Sequence, residues 1–579
     1  MIKLFRLLKP YRISITFVLI FIFLQSLSNL YLPTLMSDIV DSGVMKGDIP
    51  YILQIGGFML LVAILGVLCS ILASLFASKT STGFGKVLRS LVFSHIEEFA
   101  LHEFDKFGTS SLITRTTNDI TQVQQLVNMM LRMMVMAPLM SIGGIIMAVS
   151  TDAKLSLVIV VIVPILGIVI YAVLKKGIPL FRAMQKKIDT LNRVLRENLT
   201  GIRVVRSFNR ISYEKRRFNA ANLDLTDTAI RVNKIMASMM PLMMLIINLS
   251  TIAVIWFGGI RINNGDMQIG NLMAFIQYIM QILFAIMMVT MMFFMIPRAS
   301  ASAARINEVM DVSPEILDAD EVKTPYENEN ENQGRVEFQN VTFYYPGAQE
   351  PALSNISFCA YPGEITAIIG GTGSGKSSLI NLIPRFYDVY SGRILIDGID
   401  VRDLAQETLR SKIGYVPQKS ILFSGTIADN IRYGKEDAAD EEVRLAADIA
   451  QATEFILEMK DSFNSLITQG GTNVSGGQRQ RLSIARALVR HPEIYIFDDS
   501  FSALDFKTDA KLRHALKKVT NNCTVFIVAQ RVSTIMDADR IIVLDDGQIV
   551  GMGKHSELMN TCEIYHEIAA SQLSEGESA

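Results

Sequence analysis

The run GGTGSGKS, Gly370 to Ser377, has the residue types and spacing, G-x-x-x-x-G-K-[ST], of a loop that wraps phosphate. ITAII before it, Ile365 to Ile369, reads as a buried strand, and SSLINLIPRF after it reads as a helix. Gly370, Gly371, Thr372, Gly373, Ser374 and Gly375 let the backbone turn tightly, so that successive N–H groups point at phosphate oxygens. The helix N-terminus adds about half a positive charge. In such a loop Lys376 would hold the β- and γ-phosphates of a nucleotide, the Ser377 hydroxyl would ligate Mg²⁺, and Ser378 would extend the cradle. Farther along, Ile494 to Phe497 is a short apolar strand ending in Asp498, a carboxylate suited to the shell of that metal. Asp499 follows it directly.

Between the two lies NVSGGQRQRLSIARAL, Asn473 to Leu488. Ser475, the accessible N–H groups of Gly476 and Gly477, Gln478 and a helix N-terminus make a second anion site. VSGGQ is similar to the signature of the ABC ATPase family, with Val474 where Leu is usual. The resemblance covers Arg335 to about Ile568. Tyr345, in VTFYYPG, looks like the aromatic that stacks on adenine. Gln418, in YVPQ, resembles the residue that links Mg²⁺ and the attacking water to the membrane interface. Ser502 to Asp505, SALD, resembles the loop that crosses between subunits. The resemblance implies an α/β P-loop ATPase, ATP and Mg²⁺ as cofactors, and a signature that closes on ATP held by another subunit.

Three positions depart from that pattern. Asp499 stands where the family carries a Glu base, and its carboxylate would fall about 1 Å short, a misplacement worth on the order of 10² in rate. Gln530, in VAQR, stands where the family has a His; an amide donates a hydrogen bond but carries no charge and relays no proton. Gln469 replaces the Glu usual before the signature. A weakened base beside a sound signature suits one half of an unequal pair, whose partner is a second ABC half-transporter carrying the Glu and the His. Slow ATP hydrolysis is expected at this chain's own site.

The elements around these motifs fall into two kinds. With 579 residues, 50% hydrophobic and 19% charged, and a mean hydropathy of +0.33, the chain is too apolar for an ordinary soluble pair of domains. Six apolar stretches read as spans: Ile13 to Leu35, Tyr51 to Phe76, Leu126 to Val149, Leu155 to Leu174, Ile235 to Phe257 and Leu272 to Ile296. Lys3, Arg6, Lys9 and Arg12 precede the first, and Lys175 to Lys234 holds about fifteen basic residues against five acidic. By the positive-inside rule both ends and the ATPase are expected in the cytoplasm of a multi-pass cell-membrane protein. No cleavable targeting sequence is evident. Leu101 to Ile120 and Arg203 to Phe218 resemble the two coupling segments of exporter-type ABC half-transporters.

The expected fold is a membrane all-α six-helix exporter domain, 1–310, followed by an α/β P-loop ABC ATPase domain, 334–571. A solvated linker, 311–333, joins them, because Asn, Glu and Pro dominate there, and 572–579 reads as a frayed tail. The four cysteines, Cys69, Cys359, Cys523 and Cys562, have no paired or metal-like spacing and read as reduced packing residues. Basic residues gather at the inner membrane face, so membrane lipid and no nucleic acid is expected as a partner.

Cargo is read from polar groups within spans, which seldom face lipid: Gln25, Asn29, Arg132, Asn248, Gln277 and Gln281. Methionines crowd the third and sixth spans, and their adaptable thioethers suit either packing or a promiscuous apolar pocket. The resemblance implies ATP-driven export of hydrophobic compounds or drugs, as in bacterial multidrug half-transporters. Alternatives are a lipid or peptide exporter, a regulatory ABC subunit, or an active homodimer.

Overall fold

A backbone inside hydrocarbon has no hydrogen-bond partners but its own, so each apolar stretch must be helical from end to end. The computed structural model describes residues 1–319 and 333–576. Its long helices are α1 (Arg12–Asp38), α2 (Ile49–Glu97), α3 (Ile120–Thr151), α4 (Leu157–Thr200), α5 (Ile211–Asn263) and α6 (Ile269–Met310). Among the described residues, six helical segments, each containing one of these, are long and apolar enough to cross a membrane. The basic connections are not loops: α4 and α5 run 44 and 53 residues without interruption. At 1.5 Å per residue α5 is about 80 Å long, well beyond the ~30 Å of hydrocarbon.

The chain divides into two compact units, Met1–Glu97 with Thr109–Val312, and Glu98–Gly108 with Ser313–Ala579. In the first, Phe275, Tyr278, Ile279 and Ile282 of α6 are buried against Ile159 and Leu166 of α4 and Met243 and Val254 of α5. Just before the N-terminal end of α3 a π-helical turn, Arg115–Asp119, places Asp119 inside the packing. Its carboxylate accepts from Ser302 Oγ at 2.8 Å and from Arg305 Nε at 2.8 Å, with a second guanidinium contact to its other oxygen. Arg115 donates to the Arg305 carbonyl at 2.7 Å and pairs with Glu308 at 2.9 Å. The amino end is not loose either. Leu4 is buried and Lys3 pairs with Asp311 at 2.9 Å, which ties the first residues to the end of α6.

The second unit is built on two sheets. The smaller is antiparallel and orders β2 (Leu353–Ala360), β1 (Val336–Phe343), β4 (Ser391–Ile396) and the short strand Ile399–Asp400. The larger comprises β3 (Ile365–Gly370), β5 (Ile413–Val416), β6 (Ile494–Asp498), β7 (Thr524–Val528), β8 (Arg540–Asp545) and β9 (Gln548–Gly553), in the order β9-β8-β3-β7-β6-β5. Only β9 runs antiparallel. Burial on both faces explains the unbroken apolar runs of β6 and β7. Helices α7 (Lys376–Leu382), α8 (Gly476–Leu488), α9 (Phe506–Val519) and α10 (Glu563–Gly576) complete the parts that matter below.

Three segments read from the sequence can be followed in more detail here. The stretch read as a solvated linker, 311–333, is mostly exposed over 311–319, although Ile316 is buried, Asp318 accepts from the Gln406 backbone at 3.1 Å, and Ser313 groups with the second unit. Residues 320–332 lie outside the described residues. The first coupling segment, Leu101 to Ile120, is divided. Its helix Leu101–Phe107 belongs to the second unit, where Glu103 accepts from the Glu315 N–H at 2.9 Å, while Thr109 onward belongs to the first.

The third is the tail, 572–579, of which 577–579 lie outside the described residues. Helix α10 continues to Gly576, and Gln572 is engaged rather than frayed. Its Oε1 accepts from the Val532 N–H at 2.8 Å and its Nε2 donates to the Gln530 carbonyl at 2.8 Å. Val532 is buried, so removing the acceptor leaves a backbone N–H unsatisfied, a cost of about 1–3 kcal/mol. Gln572→Ala is therefore expected to lower the unfolding midpoint and to speed hydrogen exchange at the Val532 amide. An unchanged exchange rate there would show that water replaces the side chain.

Candidate functional site

The carboxyl ends of four parallel strands, β3, β7, β6 and β5, lie side by side at one edge, the place where open α/β sheets collect ligands. The sequence motifs leave the sheet there. From β3 the chain enters the glycine loop, in which Gly373 and Gly375 take left-handed backbone angles, φ +88° and +97°. A Cβ on Gly375 would come within 2.8 Å of the Ala352 carbonyl, so only glycine fits. Gly371 and Gly373 face open space, the hollow of the loop. Lys376 lies across it, Nζ donating to the carbonyls of Gly370 at 2.9 Å and Gly371 at 2.6 Å. Burial holds the Lys376 ammonium below its ordinary range, against the pull of Asp498 and Asp499.

The loop's hydroxyls face β6. Ser377 Oγ donates to Asp498 Oδ1 at 3.4 Å. Burial raises the Asp498 carboxyl, and the charge of Asp499 beside it adds to that shift. Two hard oxygens at this edge, an open glycine hollow and a lysine fit a magnesium nucleotide. Ser377 and Asp498 could hold the metal, whose part would be to neutralise phosphate charge. Tyr345, just past β1, is 37% exposed, and its hydroxyl shares a 2.8 Å hydrogen bond with Ser378 Oγ. Phe343 and Tyr387 meet its ring edge-on, at 4.9 and 5.4 Å between centroids, which fixes its plane for a flat base.

Asp499 follows with a left-handed backbone, φ +46°, a conformation that Asp tolerates better than most residues. Its Oδ2 accepts from Gln530 Nε2 at 2.9 Å and from Gln418 Nε2 at 3.4 Å. Three sites called separately from sequence therefore converge on one oxygen. Burial pushes the Asp499 carboxyl up, while hydrogen bonds and the charges of Arg531 and Lys376 oppose that shift. Arg531 and Tyr387 were not singled out from sequence. A basic residue after a strand and an aromatic in a loop carry no signal until the fold brings them in.

The signature forms the N-terminus of α8. Ser475 caps it, Oγ accepting from the Gln478 N–H at 3.2 Å, while Gln478 Oε1 accepts from the Ser475 N–H at 2.9 Å. Gly476 meets nothing within 4 Å where a side chain would stand, so its face is open. Among the described residues, no hydrogen bond joins Ser475 to Gln478 with the Gly370 to Ser378 loop. The two anion-binding edges are separate features of one chain.

The candidate cargo residues do not gather into one site. Gln281 Nε2 donates to the Asn29 carbonyl at 3.0 Å, a bond between α6 and α1. The Asn29 side chain and those of Gln25, Arg132, Asn248 and Gln277 make no hydrogen bond among the described residues, and Arg132, Asn248 and Gln277 are exposed on the single chain.

Residues 15–287 match the family described as "ABC transporter transmembrane region", and residues 353–502 match "ABC transporter". An uncharacterised ABC transporter ATP-binding protein of Mycobacterium tuberculosis is 46% identical over 568 residues, 98% of this chain and 97% of the relative. A protein of Mycobacterium bovis named fatty acid ABC transporter ATP-binding/permease protein is 34% identical over 83% of this chain and 75% of its own length. The solved structure of a bacterial Atm1-family ABC exporter with ATP bound superimposes with a TM-score of 0.80 at 26% identity, over 97% of this chain and 98% of the other. Six spanning helices followed by this nucleotide edge, in a chain matched along nearly its whole length, place the protein in the ABC transporter family as an exporter-type half-transporter.

Proposed function

We propose that this half-transporter is the subunit with the weakened ATP site in a heterodimeric exporter of hydrophobic compounds. The observation that carries the reading is the Asp499 oxygen held by Gln530 and Gln418. A carboxylate that already accepts two amide donors, on a side chain one methylene short of Glu, is poorly placed to take a proton from water. Lys376, Ser377 and Asp498 would still bind ATP with Mg²⁺, and Tyr345 would stack on the base. Ser475, Gly476, Gly477 and Gln478 would complete the partner's site, where most hydrolysis would occur.

Exposed side chains support a partner. Phe506, directly after the SALD loop, is 75% exposed, and Phe208 in the second coupling segment is 73% exposed. Such rings on a single chain are expected to be covered in the assembled pair. The ATPase domain and both termini would lie in the cytoplasm, from the basic residues flanking the spans.

Extraction of the tagged chain from its native membrane, with mass spectrometry of what accompanies it, tests the pairing. One-to-one recovery with a half-transporter carrying the Glu and the His is the expected result. A self-paired chain that turns over ATP quickly would overturn the asymmetric reading and leave an active homodimer. The name of the fatty-acid relative favours a second reading of cargo, an acyl lipid or fatty acid. ATPase stimulated by drugs in vesicles supports the first cargo, and stimulation by acyl lipids alone supports the second.

A further inference from the structure

A cavity of about 530 Å³ lies in the second unit, and neither the glycine loop, nor the signature, nor Asp499 lines it. Its floor is apolar, with Ile365 of β3, Phe497 of β6, and Val525 and Ile527 of β7. One wall is α9, which leaves the SALD loop directly, and the other is Thr534 and Ile535, a few residues beyond Gln530. The wall from α9 is basic, since Arg513, His514 and Lys517 all line the space.

These three differ in engagement. Arg513 is occupied, paired with Asp509 at 3.1 Å and donating to the carbonyls of Ser533 and Thr534 at 3.4 Å. His514 and Lys517 have no hydrogen-bond or ion-pair partner among the described residues. Asp537 on the opposite rim is the only carboxylate among the lining residues. The size falls in the range of small-molecule sites, and the lining offers apolar area at Ile365 and Ala510, with the exposed, unpaired Lys517 ammonium and the His514 imidazole at one side. A neutral hydrophobe would leave that charge unused, and a cation would meet it.

We infer that this cavity binds an amphipathic monoanion, a carboxylate on an aryl or short acyl body, with the apolar part against Ile365 and Ala510 and the carboxylate at Lys517 and His514. A ligand there spans α9 and the Thr534 turn, the segments that follow the SALD loop and Gln530. This inference stands apart from the asymmetric pairing proposed above.

The test uses the full chain with its co-purifying partner in lipid nanodiscs and 4-phenylbutyrate as the probe. Saturable slowing of hydrogen exchange in 506–519 and 532–538 is expected, with 4-phenylbutanol about tenfold weaker, which isolates the carboxylate. His514→Gln with Lys517→Gln is expected to weaken the effect about tenfold while leaving ATP affinity without the probe unchanged. Ala510→Phe narrows the cavity and is expected to abolish it. If Ala510→Phe misfolds, the Gln variant still decides. Equal protection by acid and alcohol, protection indifferent to the Gln substitutions, or no protection in these segments would each overturn the inference.

Discussion

Replacing Asp499 by Glu together with Gln530 by His should raise ATP turnover at this chain's own site about 10²-fold, measured in the pair with the partner's base silenced. The longer side chain carries a carboxylate out of the amide pocket toward the water's position, and the imidazole supplies a group that can carry a proton. The two changes should not add, because Gln530 and Asp499 share a hydrogen bond at 2.9 Å. Glu in the left-handed backbone of position 499 would cost about 1 kcal/mol, so a small loss of thermal stability accompanies the gain. A double variant no faster than the parent would mean that these side chains do not set the rate. Asp499→Asn complements the test: little further loss of turnover is expected if the short carboxylate contributes little as a base.

The largest effect on stability is expected at the N-terminal end of α3. Asp119 has a side chain only 3% exposed, and its oxygens are neutralised by Arg305, whose own side chain is 44% exposed. Arg305→Met leaves the buried carboxylate with the Ser302 hydroxyl and the field of Arg115, and without its paired guanidinium. Breaking a buried pair costs about 3–5 kcal/mol, and water near Arg305 screens part of that, so about 2–4 kcal/mol is expected. The apparent unfolding midpoint should fall by roughly 5–10 °C. Asp119→Leu combined with Arg305→Met should recover most of the loss, because an apolar pair leaves no uncompensated charge. A double variant as unstable as the single would assign the loss to packing rather than to charge.

The spans were legible because about 20 apolar residues in a row have few structural options, and the glycine loop because its spacing is tied to phosphate geometry. The helical extensions were not legible as single rods. Their charged residues resemble those of solvated loops, and only continuity through α4 and α5 shows that the backbone never breaks. Gln572 read as tail because a polar residue near a terminus gives no sign of a distant N–H in need of an acceptor. The meeting of Gln418, Asp499 and Gln530 was invisible for a different reason. They leave three different strands, β5, β6 and β7, and adjacency in a parallel sheet is set by strand order, not by chain order. Of the polar span residues, Gln281 proved to be a tie between helices, an outcome that composition alone does not separate from cargo contact.

Because α4 and α5 carry their extensions as unbroken helix, angular phase is transmitted along their whole length. One residue inserted in either extension would turn everything beyond it by about 100° and displace it by about 1.5 Å, presenting a different face of the helix to its neighbours. Seven inserted residues would return the face to within about 20°. Length variation in these arms is thus confined to near-whole turns, a restriction that a flexible connection of the same composition would not impose.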